Sequence, residues 1–270
     1  MTRLCDEWLL TITNGLFEYE NELRCKTGLD FLGMSAAANG LAPEVIREMA
    51  DKHTISVIPV TAGKGVIAGF SEAVAGIIHH TGFRVFLTES TDVDGIYEAY
   101  SRNARFIFMA DDRRYIGFDL EHRHVTDNSA ATARGFVTAL SAMCKDSLEN
   151  KDVLILGCGI VGRYAAASLL EKRARPVLYD KTPIAQDIGK QLAIPYILSA
   201  EEISGFQYIL DATNEGNWLK RNMLHKDVYI AAPGVPLSLD TDAYAQHSKR
   251  LVHDLLHIGT LTMLGELSKQ

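Results

Sequence analysis

The segment "KDVLILGCGIVGRYAAASLLEKRARPVLYD", residues 151–180, constrains this chain more than any other stretch. An apolar, β-branched run feeds Gly157-x-Gly159-x-x-Gly162, an alanine-rich helical pattern follows, and a second apolar run ends in Asp180. Each part has a physical task. Gly157 allows a tight turn, Gly159 lets the backbone approach a pyrophosphate, and Gly162 lets helix and strand pack closely. The amides that open the helix, those of Ile160 and Val161 among them, favour an anion together with the helix dipole. Asp180 stands where a carboxylate accepts hydrogen bonds from ribose hydroxyls. The alternative is a glycine-tolerant turn that holds no ligand, but strand, helix and terminal acid are all in place. The pattern predicts a Rossmann unit that holds NAD. Asp180 disfavours a 2′-phosphate, and Lys181 beside it leaves NADP open.

Beyond this fingerprint the alternation continues. "DVLILG", "RPVLYD", "PYIL", "QYILDA", "VYIAA" and "RLVHD" are six short strand candidates, most of them separated by helical patterns. The loops "DATNEGN" and "APGVP" follow two of these strands at their carboxyl ends, where ligands of open α/β sheets sit. Thr213, Pro233 and Gly234 are therefore candidates for the nicotinamide side, although ordinary strand-to-helix turns explain them equally well. Upstream, "TISVIPV", "FRVFLT" and "ARFIFMA" alternate with helical patterns at 66–80 and 93–103. This rhythm predicts a small parallel sheet covered by helices. The expected fold is α/β: an N-terminal helix and a small parallel-sheet domain over residues 1–148, then a doubly wound Rossmann domain over 149–270. A helix starting at Asp127 or Asn128 bridges them, and "IGTLTMLGELSKQ" reads as a helix that packs back across the boundary.

The first domain carries its own glycine loop, "VTAGKG", after a strand. It lacks the GxxxxGK[ST] spacing of a P-loop. What remains is a strand-end loop, Thr61 to Gly65, whose amides suit a substrate carboxylate. The third strand ends in "ADDRR", which puts Asp111 and Asp112 at the same sheet edge. A carboxylate there holds an ammonium group or takes a proton, or else the pair is a solvated turn. Asp92 and Asp94 read more simply as helix-capping residues.

Several classes are disfavoured. A net charge of −7 argues against nucleic-acid and anionic-membrane surfaces, which demand a basic face. No apolar run approaches the ~20 residues of a membrane span. Arg3, Asp6 and Glu7 break up the N-terminus where a signal peptide needs an apolar core, and Leu4, Trp8, Ile12 and Leu16 suit an amphipathic helix. The four cysteines show no CxxC spacing, so reduced thiols in the cytoplasm are expected. His253 and His257 stand four apart like zinc ligands but lack the glutamate and a third ligand, so no metal is expected.

Taken together, "RCKTGLD", "IPVTAGKGVIAGF", "TDVDGIYEA", "IFMADDR", "LGCGIVG", "AAPGVP" and "IGTLTML" occur in one order. Over nearly the whole chain they resemble the family of dehydrogenases that completes pyrrolysine biosynthesis. The resemblance implies NAD-dependent oxidation of L-lysine-Nε-(3R)-methyl-D-ornithine at its terminal amine, followed by ring closure and ammonia release. It implies that Asp111 holds the reacting or ring-forming amine. Substrate contacts would come from Thr61, Ala62, Gly63, Lys64 and Gly65, apolar walls from Ile67 and Phe70, and a closing contact from Leu4. Ala62 stands where the family has serine, which removes a hydroxyl, and the "ATNEGN" loop also departs from the family pattern. The alternatives are an NAD(P)-dependent amino-acid or methylenetetrahydrofolate-type dehydrogenase, for which Lys64 would be the catalytic lysine, and a non-catalytic NAD-sensing module. The partner expected is a small-molecule substrate, the lysine–methylornithine isopeptide; the assembly is open, a homodimer being one option.

Overall fold

A computed structural model describes residues 9, 12, 15–66, 68–145 and 147–269. The chain divides into two compact units. The first comprises residues up to 22, 29–135 and from 255 on; the second comprises 23–28 and 136–254.

In the first unit, short β-branched or aromatic runs form five strands. These are β1 (Thr54–Ile58), β2 (Arg84–Leu87), β3 (Phe106–Ala110), β4 (Tyr115–Asp119) and β5 (His124–Asp127), in sheet order β2-β1-β3-β4-β5. β1 pairs in parallel with β2 and β3, giving the parallel core expected from the sequence. β4 and β5 extend it as antiparallel strands. The helices that accompany the sheet among the described residues include α2 (Phe31–Ala37), α3 (Pro43–Lys52), α4 (Phe70–His80), α5 (Asp92–Ser101) and α10 (His257–Leu267). α1 (Leu16–Thr27) and α6 (Asn128–Met143) each cross the division between the units.

The last helix is the centre of this unit. Its apolar residues run all round it, and every residue of α10 except Glu266 is buried, which only an interior helix tolerates. It packs on α2, α4, β4 and β5. Small residues let the backbones approach: a Cβ at Gly265 would stand 2.5 Å from the Ser35 carbonyl. The Ser35 hydroxyl donates to the Leu261 carbonyl at 2.6 Å, and the Asn39 amide donates to the Thr262 carbonyl at 2.9 Å. The division therefore differs from the expected 148/149 boundary: α10 groups with the first unit, where its apolar surface is covered.

The second unit is all parallel. β6 (Asp152–Leu156), β7 (Arg175–Tyr179), β8 (Tyr208–Asp211), β9 (Tyr229–Ala232) and β10 (Leu251–His253) lie in the order β10-β9-β8-β6-β7. The covering helices are α7 (Ile160–Glu171), α8 (Ile184–Leu192) and α9 (Thr241–His247). Of the six expected strands, "PYIL" is reduced to one bridge, Tyr196 beside Leu178. Pro195 has no N–H to donate, and a capping box on Ser199 turns the chain into a 3₁₀ helix just beyond. The Leu178 amide still bonds the Pro195 carbonyl, so this residue marks a sixth sheet position outside β7. The resulting order is that of a doubly wound dinucleotide fold.

Candidate functional site

The strongest site is the turn after β6. Gly157 has φ +87°, in the left-handed region that glycine adopts without steric cost. A Cβ at Gly162 would stand 2.0 Å from the Gly157 carbonyl oxygen, so α7 can seat against the turn only with glycine there. At Gly159 nothing lies within 4 Å of a Cβ position, which leaves the backbone open on that side. Ile160 and Val161 open α7, and their amides are among the unpaired donors of its first turn. Asp180 follows β7. One of its oxygens accepts the Cys158 amide at 2.9 Å, and the other accepts the amide and hydroxyl of Thr182 at 2.9 and 2.8 Å. Partial burial raises its pKa, but these donors and Lys181 outweigh that and hold the carboxyl below its usual range. The cradle fits a dinucleotide: an open backbone at Gly159, helix-opening amides and an ionised carboxylate at the end of β7. Burial pushes the Cys158 thiol up to about 12, so it fills space as a neutral group.

The loops after β8 and β9 meet. A Cβ at Gly234 would lie 2.0 Å from the Thr213 carbonyl oxygen, and the Gly234 amide donates to the Asp211 carbonyl. Pro233 links β9 to this contact. Thr213 turns inward. Its hydroxyl donates to Asp211 at 2.7 Å and accepts the Trp218 indole N–H at 3.4 Å. Asp211 is fully buried, which raises its pKa, and it also bonds the Ser238 hydroxyl. Thr213 is thus a brace for this loop pair, a role that its sequence position did not disclose. His253, at the end of β10, has Nδ1 2.8 Å from the Ala232 carbonyl. That contact needs an N–H, so in the neutral ring Nε2 is an acceptor.

In the first unit, the sheet order sets the loop after β1 beside the turn after β3. Gly63 (φ +77°) and Gly65 (φ +85°) carry the loop, and the Lys64 amide donates to Asp112 at 2.6 Å. A Cβ at Gly63 would stand 2.4 Å from that same carboxylate. Thr61 donates its amide, at 2.9 Å, and its hydroxyl to Asp92. The sequence reading made Asp92 a helix cap; instead it has φ +54° and ties α5 to the glycine loop. Asp111 folds back on its own turn and accepts the amides of Arg114 and Arg113 at 2.7 and 2.8 Å. These two bonds, led by Arg114, hold its carboxyl below the usual range. A narrow cleft with water-accessible space of only about 10 Å³, room for about one water molecule, lies between Gly65, Val66, Phe70, Ser71, Asp111 and Asp112. Phe70 forms its apolar wall and packs edge-on against Tyr115 at 5.3 Å between centroids. Ala62 and Lys64 are exposed on the loop. Leu4 and Ile67 lie outside the described residues. Among the described residues, no group of three or more His, Cys, Asp or Glu converges as a metal site would, and no helix is long and apolar enough to cross a membrane.

Taken together, the second unit's sheet and glycine turn and the α/β unit beside it in sequence define a two-unit Rossmann dehydrogenase fold. The bifunctional methylenetetrahydrofolate dehydrogenase/cyclohydrolase FolD of Campylobacter jejuni shares it, with a TM-score of 0.54 and 15% identity over 96% of each chain. The family model described as pyrrolysine biosynthesis protein PylD, N-terminal domain, matches residues 14–126. Pyrrolysine synthase of Methanosarcina acetivorans is 30% identical over 266 residues, 98% of either chain. The Methanosarcina barkeri enzyme is 29% identical over 98% of this chain and 97% of its own. This chain belongs to the PylD family of pyrrolysine biosynthesis proteins.

Proposed function

We propose that the chain is an NAD-dependent dehydrogenase. It oxidises the terminal amine of L-lysine-Nε-(3R)-methyl-D-ornithine and lets the product close to the pyrroline ring of pyrrolysine. The observation that carries this reading is the 30% identity to a pyrrolysine synthase along 98% of both chains. The cradle of Gly157, Gly159 and Gly162 with Asp180 supports the cofactor assignment.

Bound at that cradle, NAD⁺ supplies the acceptor for the hydride that leaves the carbon beside the terminal amine. The remaining tasks belong to the protein. Gly159 and the α7 amides hold the pyrophosphate, and Asp180 accepts the ribose hydroxyls. In the first unit, the ionised Asp111 is a weak proton acceptor, so its task is to hold an ammonium group of the substrate in place. The glycine loop offers amides to a carboxylate, Lys64 adds a cation, and Phe70 borders the methylated side. After oxidation the α-amine attacks the imine carbon, the C=N bond of the ring forms, and ammonia leaves. Counted from the neutral amines, the isopeptide and NAD⁺ give the ring, NADH, ammonia and one proton, which passes to solvent.

The test supplies purified protein with NAD⁺ and the isopeptide and follows reduced-nicotinamide absorbance and ammonia together. One ammonia per NADH is expected, with none from lysine or ornithine alone. Turnover of a simple amino acid without turnover of the isopeptide would overturn the substrate assignment.

A further inference from the structure

Lys181 follows the ribose-binding Asp180 directly, so it is the cation placed to receive a 2′-phosphate, the role that a nearby arginine plays in NADP-binding Rossmann units. In this structure it is engaged elsewhere. Its ammonium pairs with Glu215, 34 residues further on, in the loop after β8. β7 and β8 flank β6 in the sheet, so the two loops that meet in this pair border the glycine turn on either side. Both side chains are exposed, at 69% and 53%, and nothing in the core of the unit requires them to meet. Hydrogen bonding and charge at Glu215 both strengthen the protonated form of Lys181.

We propose that Glu215 sets the choice of cofactor, occupying Lys181 and adding a second carboxylate beside Asp180, so that a dinucleotide with a free 2′-hydroxyl is accepted and one with a 2′-phosphate is rejected. This inference rests on the reading of the second unit as a nicotinamide-dinucleotide site. A 2′-phosphate carries close to two negative charges, and it would meet Asp180 and Glu215 with one ammonium between them. A free ribose hydroxyl donates to Asp180 and leaves the pair intact. The lysine alone would make the site permissive; the glutamate makes it selective. Sequence did not disclose this, because only the sheet order brings residues 181 and 215 together.

Equilibrium titration of NADH and NADPH, followed by nicotinamide fluorescence, reads this without turnover. The wild-type chain binds NADH more tightly than NADPH. Glu215→Gln tightens NADPH roughly tenfold, the order expected for removing one water-screened charge at contact range from a phosphate, and moves NADH less than threefold. Adding Lys181→Gln to that variant cancels the gain, since the freed lysine is what receives the phosphate. Equal affinities in the wild type, or equal tightening of both dinucleotides by Glu215→Gln, would overturn the selectivity role. If the wild type binds neither dinucleotide, the cofactor reading falls and this inference with it.

Discussion

Asp111 accepts two backbone amides through one oxygen, and the other oxygen has no hydrogen-bond partner among the described residues. A carboxylate held this way keeps its charge through the whole neutral range, because its pKa lies below the usual value near 4. It therefore suits an electrostatic anchor and not a base. Asp111→Asn keeps the shape and both amide bonds but loses the charge, so kcat/KM for the isopeptide should fall by roughly a hundredfold, in line with one charged contact. NADH affinity should stay within twofold. The shape of the pH profile between about 6 and 9 should not change, since Asp111 does not titrate there. A variant that loses a limb of that profile would make Asp111 the proton acceptor and overturn the anchor role. At this scale the sequence was legible in placement: Asp111, Asp180 and the three glycines of the turn do follow strand ends, as the alternation indicated. It was silent where two distant residues share one bond. Asp92 with Thr61, Asp112 with Lys64 and Ser238 with Asp211 are 31, 48 and 27 residues apart, and no spacing rule links them.

The helix His257–Leu267 shows what elements add. Its small residues admit α2 so closely that Gly265 has no room for a methyl group: Asn39 Nδ2 and the Ser35 carbonyl would each lie 2.5 Å from it. Gly265→Ala should lower the stability of the chain by roughly 1–3 kcal/mol, as overpacking does, despite the gain in helix propensity. Denaturant titration should show the midpoint falling with an unchanged slope. A rise in the midpoint would mean that α2 moves aside freely. The same scale explains two differences from the sequence reading. β4 and β5 escaped notice because their hairpin carries no glycine or asparagine at the turn. Arg123 itself adopts φ +52°, and β5 reads "HVTD", polar at both ends. "PYIL" looked like a strand because its composition is right. Its opening proline cannot donate, and one bridge residue is all that survives.

At the scale of the whole molecule, the buried Asp211 couples the stability of the second unit to pH. Burial raises its folded pKa above the unfolded value near 4, so the folded chain binds the proton more tightly. The stabilisation from this group is full below the unfolded value and is lost as pH rises through the folded one. Asparagine at 211 keeps an acceptor for Thr213 and offers a donor to Ser238, yet cannot ionise. Melting temperatures taken from about pH 4 to pH 8 should therefore show the wild type losing stability relative to Asp211→Asn as pH rises. A difference constant with pH would mean that Asp211 keeps one charge state in both forms. The architecture, an α/β unit followed by a complete dinucleotide sheet, was readable in advance, because alternating strands and helices write a period into the chain. That the last helix packs back was expected from its apolar run, but the division at 135/136 was not, since it depends on what covers a helix and not on where the helix stands in the sequence. That grouping has a temporal consequence. Residues 136–254 are complete, as a contiguous sheet, before α10 has been translated. The first unit is begun earlier yet stays without its central helix until then. The first unit, begun first, therefore waits through the synthesis of the whole second sheet with its apolar faces uncovered, the interval in which a chaperone would find it.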